Sequence, residues 1–381
     1  MRYFLALIFT FSFAAFAQNT TPTTEFNQTM VFEDDLDFEN MHLAIDRQLE
    51  SFRRSPQRTT VKYGRTVYPA RRLEDTMKSF KALITQTQNC MKTTEKSLCM
   101  REFNRRVNAE YAIYVPVPAA SEPGHGQKQT TLYTGYYSPD LQGSRVPTAR
   151  YKNPIYGLPT RADQRSLSRE QIDFEGALAG QGLELFWVED SMFDIYLFHV
   201  EGGGRITLHN EDGSISGQAY ISYASGNGQR FEFLYKIMLE RGFLKPGEAS
   251  IANQRKFIEE NPQHAREIFA TCPSYIFFKE TQDEPLGVRS IPLTQNRSLA
   301  IDVRIYKDVG VINYIKANRP RFTETGSVER VDFSRFFISQ DTGGAIRGNA
   351  RVDLYLGYGP EASLGANSMK GQGEQYFLIK R

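Results

Sequence analysis

A mixed but mainly β fold, with helices gathered toward the N-terminus, is expected from three features of this 381-residue sequence. Apolar residues at helical spacing are confined to a stretch ending near residue 107 and to an interval between residues 231 and 270. Short runs rich in Val, Ile, Tyr and Phe, punctuated by Gly, Asn and Pro, dominate elsewhere. Strand and helix signals do not alternate as they would in a parallel doubly wound sheet.

Taken in order, residues 1–17 carry one basic residue, Arg2, then an apolar run from Tyr3 to Phe16 and a small-residue exit at Ala15-Phe16-Ala17. That is the pattern of a secretory signal peptide, and the run is short for a spanning helix. Gln18 to Thr29 has little to bury and reads as a flexible segment. Amphipathic helices are expected over Asp37–Arg54, with Phe38, Met41, Leu43, Ile45 and Leu49 on one stripe, over Leu73–Thr85, and over Thr94–Val107. Ala119 to Gly126 has loop composition. Strands follow at Leu185–Val188, Ile195–Val200 and Ile206–His209, with Asn210-Glu211-Asp212-Gly213 as a hairpin turn leading into Gln218–Tyr223. Helices are expected at Phe231–Arg241, Ile251–Glu260 and Pro262–Ala270, and strands again at Tyr275–Phe278, Leu299–Val303, Ile312–Ile315 and Val352–Leu356.

Composition narrows the function. Lys and Arg number 46 against 44 Asp and Glu, so the chain has no electrostatic footprint for a polyanion and nucleic acid is not an expected partner. The length suggests about two domains. Aromatic residues, 20 Tyr and 27 Phe, suit stacking on sugar rings, although packing is their default use. His42, His125, His199, His209 and His264 are scattered without ligand spacing, and no metal or cofactor is expected. Cys90 and Cys99 either bridge locally, stapling two helices in an oxidising compartment, or stay reduced; Cys272 is left over in both cases.

The stretch most suggestive of chemistry is Ser339-Gln340-Asp341-Thr342-Gly343-Gly344-Ala345-Ile346-Arg347-Gly348. The apolar run Phe336-Phe337-Ile338 delivers one acidic side chain to a Gly-Gly turn, which leaves open space beside Asp341. By the local pattern alone the commoner reading is an Asp that bonds its own turn. Downstream, Val352-Asp353-Leu354-Tyr355-Leu356 alternates, so Asp353 and Tyr355 share a strand face, and a strand running back after the turn would bring Asp353 near Asp341.

Five segments in order, Thr134-Gly135-Tyr136-Tyr137-Ser138-Pro139, Pro154 to Pro159, Ser222 to Gly228, Pro273 to Lys279, and Ser339 to Gly348 with Asp353 to Ala362, resemble the membrane-bound lytic transglycosylase A family with its C-terminal 3D domain. The resemblance spans roughly residues 130–381. It implies a double-psi β-barrel main domain with N-terminal helices, built from residues 18–139 and 272–381, interrupted by a smaller β-rich domain at 140–271, with a groove between them for a glycan strand. It further implies a peptidoglycan lytic exotransglycosylase that cuts the β-1,4 bond from N-acetylmuramic acid to N-acetylglucosamine and leaves 1,6-anhydromuramoyl ends. By the same resemblance Asp341 is the acid and Thr134 and Tyr136 wall the groove; Asp353, placed by the strand alternation, is the candidate neighbour that raises it, with a structural Asp as the alternative, and Gly203, Gly204, Gly343 and Gly344 are candidate substrate borders whose alternative role is turn or bend geometry. Two departures stand out: Glu201-Gly202-Gly203-Gly204 has a carboxylate where the family shows an amide, and Tyr306 to Gly310 lacks the usual Pro-containing turn. The first cysteine is Cys90, so no lipid-bearing Cys follows the leader, and a soluble, exported, periplasmic monomer without a transmembrane segment is expected. The competing expectations are an inverting glycoside hydrolase with two carboxylates and a non-catalytic wall-binding module.

Overall fold

Apolar stripes at helical spacing become three N-terminal helices laid against a barrel. The computed structural model describes residues 23–54, 60–118, 128–189, 191–282, 285–306, 309–322 and 328–381; the leader at 1–17 and the 119–126 loop lie outside them. After the short strand β1 (Thr23–Glu25), helix α1 (Met41–Arg54) turns Met41, Ala44, Ile45, Gln48 and Phe52 inward. A hairpin, β2 (Thr60–Tyr63) and β3 (Thr66–Pro69), leads to α2 (Arg71–Met91) and α3 (Lys96–Glu110). A disulfide between Cys90 and Cys99, Cα atoms 5.8 Å apart, joins the end of α2 to the start of α3, and Cys272 is a buried free thiol. The flexible segment expected at Gln18–Thr29 is corrected over Thr23–Glu25, which pairs antiparallel with β4 (Tyr111–Pro116), because that strand otherwise presents an open edge.

The barrel takes β5 (Thr131–Ser138) from the first half of the chain and the rest from the second. Between them lies a second sheet made of β6 (Asp140–Ser144), β7 (Asn153–Tyr156), β8 (Glu184–Val188), β9 (Gly203–His209), β10 (Ile215–Gly226) and β11 (Ile276–Thr281). Helices α4 (Ala162–Arg165), α5 (Arg169–Asp173), α6 (Met192–Glu201), α7 (Leu234–Glu240), α8 (Ile251–Glu260) and α9 (Ala265–Ala270) flank it. The chain then returns through β12 (Ser298–Ala300), α10 (Val303–Tyr306), β13 (Ile312–Phe322), β14 (Val328–Asp341), β15 (Arg351–Tyr358), α11 (Gly359–Ser368) and β16 (Lys370–Lys380). Strand order β16-β13-β14-β12-β15-β5 closes on itself because β5 also pairs with β16, giving a six-stranded barrel of the expected mainly β class. The second sheet runs β11-β10-β9-β6-β8-β7 and so extends to Thr281.

One expected strand is a helix. Ile195–Val200 lies within α6, capped by the Ser191 side chain at the Asp194 N–H and ended by Gly202 in the left-handed region at φ 81°. Its Ile195 and Phe198 pack on the second sheet while Phe193, Tyr196 and Leu197 pack into the cluster of α7–α9. A helix covered on both sides needs no polar stripe, so its periodicity disappears and the run imitates a strand.

The N-terminal segment is locked to the barrel by a buried ion pair. Arg297, fully buried just before β12, donates to both carboxylate oxygens of Asp34 at 2.7 and 2.8 Å, to Phe336 O at 2.9 Å and to Glu39 O at 2.6 Å. Asp34 also accepts from the backbone N–H groups of Phe38 and Phe336. Burial would raise this carboxyl, but the Arg297 hydrogen bonds and charge outweigh it and hold it below the usual range. Asp34→Asn strands the guanidinium in the core and is expected to lower the unfolding free energy at neutral pH by about 3–5 kcal/mol. Because the folded carboxyl titrates lower than the unfolded one, the wild-type advantage holds above the unfolded value of about 3.9 and fades as pH falls below it. Urea titrations at several pH values test both points; a deficit that does not shrink in acid would contradict the second.

Candidate active site

The site forms where β14, β12, β15 and β5 lie side by side. Ala300 of β12 is opposite Asp341 of β14 on one side and Asp353 of β15 on the other, and Asp353 is in turn opposite Thr134 of β5. Cross-strand partners share a face, so Asp341, Ala300, Asp353 and Thr134 form one row, with the two aspartates two strand spacings apart, roughly 10 Å at the backbone. The neighbourhood expected for Asp353 is present, but the direct run-back is corrected: β15 does not pair with β14, because β12 is inserted between them.

A bulge aims the acid. The β12–β14 register shifts after Ser339 opposite Leu299, leaving Gln340 unpaired and Asp341 opposite Ala300. Gln340 turns fully inside, accepting from Ser298 Oγ at 2.6 Å and donating to Ala44 O of α1 at 3.1 Å. Asp341 is thereby left on the open face. Its Oδ2 accepts from the Tyr136 hydroxyl at 2.8 Å, and the Tyr136 ring rests 5.3 Å from that of Tyr355, whose hydroxyl is 2.8 Å from Ser138 Oγ. Desolvation pushes the Asp341 carboxyl up to about 6, against the lowering effect of the Tyr136 and Thr342 hydrogen bonds and with a further push from the Asp353 charge. Asp353 is likewise raised by desolvation, moderated by a 2.5 Å hydrogen bond from Thr134 Oγ1 and by Arg351. Arg351 donates to the same Thr134 Oγ1 at 2.8 Å.

The loop after β14 is tied beneath the acid. Thr342 Oγ1 donates to Ile301 O at 2.9 Å, and Asp302 accepts from the Gly348 N–H at 3.0 Å while pairing with Arg304, whose hydrogen bond is the main reason its carboxyl sits at about 2. Gly343 and Gly344 lie between these ties, and a side chain at Gly344 would meet only open space. Gly203 and Gly204 are buried at the start of β9, where a Cβ would strike Ile221 O and Pro139 O, each at 2.3 Å. Their visible role is close packing.

Residues beyond the motifs also shape the site. Gly287, whose Cβ would fall 2.5 Å from Gln340 O, brings the loop after β11 against Asp341. Glu201, at the end of α6, is the more consequential. Desolvation, reinforced by the Asp353 charge, raises its carboxyl to about 8, against a lesser lowering effect of the Tyr137 backbone. The only sequence signal was a carboxylate beside three glycines. Among the described residues no group of three His, Cys, Asp or Glu is placed to hold a metal ion, and no helix is long and apolar enough to cross a membrane.

Residues 132–279 match the family model described as the MltA specific insert domain, and residues 297–378 match the 3D domain. The chain is 32% identical over 262 residues to the membrane-bound lytic murein transglycosylase A of Vibrio cholerae, covering 68% of each. With the Escherichia coli K12 protein of the same name it shares 30% identity over 232 residues, 60% of each chain. Among solved structures it resembles the membrane-bound lytic murein transglycosylase of Agrobacterium tumefaciens, with TM-score 0.67 and 25% identity over 91% of this chain and 93% of that one. It also shares the fold of the Escherichia coli protein crystallised with chitohexaose, with TM-score 0.69 and 24% identity over 95% and 96% of the two chains.

The raised acid has a consequence for stability that is independent of catalysis. A carboxyl that titrates higher when folded favours folding fully below its unfolded value and loses that contribution as pH rises to about 6. Asp341→Asn removes the ionisation, so its stability relative to wild type is expected to climb between roughly pH 4 and pH 6 and then level off. A difference independent of pH in urea titrations would show that the carboxyl is not perturbed.

Proposed function

This chain belongs to the membrane-bound lytic murein transglycosylase A family, and from that membership and the raised carboxyl of Asp341 we propose that it cleaves peptidoglycan without adding water. The bond cut is the β-1,4 link from N-acetylmuramic acid to N-acetylglucosamine. The observation that carries the reading is an acid held near pKa 6 on the open face of the barrel, with open space beside Gly344.

In this reading Asp341 is one acid used twice. Protonated, it gives its proton to the glycosidic oxygen as the bond to the anomeric carbon breaks and positive charge builds on the muramoyl ring. As carboxylate it then takes the proton of the C6 hydroxyl while that oxygen closes on the anomeric carbon. The products are a new 4-hydroxyl and a 1,6-anhydro ring, and no water is consumed. Burial raises the acid, with a smaller push from the Asp353 charge, while Thr134 holds Asp353 and Tyr136 orients Asp341. The glycan lies in the cleft between the barrel and the second sheet, with Gly343 and Gly344 giving it room. Export to the periplasm rests on the leader-like residues 1–17, and the relatives' names place them at a membrane.

Purified protein incubated with sacculi is expected to release muropeptides ending in 1,6-anhydromuramic acid, each one water lighter than its hydrolytic counterpart and resistant to borohydride. Only reducible ends would sink the transglycosylase reading in favour of a two-carboxylate hydrolase. Asp341→Asn should lower turnover by at least about 100-fold, since the amide keeps the shape but has no acidic proton. Release at the wild-type rate would leave Asp341 a turn residue and support a binding module or another acid. The Tyr136 hydroxyl stabilises the ionised form of Asp341, so Tyr136→Phe should move the fall of kcat/KM with rising pH to higher pH. An unmoved profile would mean that Tyr136 does not act on the acid.

A further inference from the structure

Residues 280–296 lie between the two matched domains and belong to neither. Within them, Pro285 to Leu293 folds back on itself as a strap. The Gly287 N–H donates to Ile291 O at 2.8 Å, the Leu293 N–H donates to Pro285 O at 3.2 Å, and Leu286 bridges Pro292. At its tip Arg289 and Ser290 both hold left-handed backbone, at φ 57° and 55°. Neither has the freedom of glycine, and two such residues in succession persist only where their surroundings hold them. The holding groups come from α1. Arg47 donates to Leu293 O at 2.7 Å and, through the same nitrogen, to Thr294 Oγ1 at 3.1 Å, while Arg54 donates to Ser290 O at 3.2 Å. The other side of the strap lies against the acid: a Cβ on Gly287 would fall 2.5 Å from Gln340 O, 2.7 Å from Leu293 Cδ2 and 3.3 Å from the Cβ of Asp341.

We propose that this strap positions the glycan-cleaving acid, with Arg47 of α1 holding the Gly287 backbone against the flank of Asp341 so that the carboxyl stays aimed and that flank stays shielded from water. The inference rests on the glycan-cleaving reading above and adds two positioning residues, Gly287 and Arg47, that act through Asp341. The groups facing Asp341 are Tyr136 on β5, the Thr342 N–H and Asp353 on β15. Facing the strap from α1 are Arg47 and Arg54, with Glu50 paired to Arg53 and Arg54, and Asp46 paired to Lys81 of α2; Arg289 is the charge of the strap itself. Two modes of action for Arg47 have opposite signs. As a nearby charge, the guanidinium would favour the carboxylate, and removing it would raise the pKa of Asp341; acting through the strap it excludes water, and removing it lowers that pKa.

The test uses the full chain and the rate at which 1,6-anhydro ends are released from sacculi at limiting substrate, followed across pH. Arg47→Met keeps the stem and removes both bonds. Its rate is expected to fall roughly 10-fold or more, as small displacements of a reacting group do, and its decline with rising pH to begin at lower pH than in wild type. Arg47→Lys should recover most of the rate and the profile, because both bonds come from one nitrogen. Gly287→Ala, whose Cβ forces the strap off Gln340, should show the same two effects more strongly, and it decides the matter if Arg47→Met does not fold. Arg53→Met, which removes only an exposed partner of Glu50, should leave rate and profile unchanged. A decline that moves to higher pH, a slower rate with an unmoved decline, or an Arg53→Met protein that behaves like Arg47→Met would overturn the proposal. A wild-type protein that releases no anhydro ends would overturn the glycan-cleaving reading itself and this inference with it.

Discussion

The buried pair of Arg297 and Asp34 fixes where β12 begins, and β12 sets the spacing of the two aspartates. Three residues long, β12 has little hold of its own: its parallel ladder with β14 is interrupted by the bulge, and its antiparallel ladder with β15 covers two residues. The guanidinium supplies the rest, binding Asp34 and the Phe336 carbonyl, while Arg297 O accepts the Ile338 N–H at 2.7 Å. Removing either charge would leave the other buried and unpaired, so the pair acts as a lock whose cost of opening exceeds its net contribution when closed. Ala300 then separates Asp341 from Asp353 with the smallest side chain that still has a Cβ.

Desolvation is what turns this spacing into chemistry. The carboxyls of Asp341, Asp353 and Glu201 are all raised, each chiefly by loss of water, and Asp353 adds its charge to both of the others. A metal or a free arginine beside them would lower all three. Arg351 is nearby, but its hydrogen bond goes to Thr134, which passes a second one to Asp353 and so spares Asp341 direct contact with a cation. Asp302 shows the contrast within the same protein: paired with Arg304 and given a backbone N–H, it sits at about 2 and serves only to hold the loop. Two aspartates at the two ends of this loop region thus shift in opposite directions from the usual carboxylate value, because one meets a cation and the other does not.

Much of this was legible. Helical stripes marked α1, α2 and α3, the hairpin turn at Asn210–Gly213 marked the β9–β10 join, and the ordered motifs marked Asp341, Asp353, Thr134 and Tyr136. What escaped depended on partners distant in sequence. The α6 run read as a strand because two different cores cover it, the Gln340 bulge has no composition of its own, and the insertion of β12 between β14 and β15 is a topological fact that no local pattern encodes. Glu201 was visible as an odd residue, but its perturbation required knowing that α6 ends against β5.

The glycines are best understood through that last point. Those of the loop after β14 leave space, while Gly203 and Gly204 abolish it, and a glycine motif in the sequence does not say which. The distinction follows from the walls. Open space at Gly344 lies beside the acid, where a bulky ring must approach; contact at Gly203 and Gly204 draws the inserted lobe onto the barrel at Pro139 and carries Glu201 with it. A larger residue at either position of β9 would therefore do more than disturb one sheet: it would lift the end of α6 away from β5. The desolvation that raises these carboxyls depends on close packing around β5, so the packing of the second sheet against that strand bears on the titration of Asp341.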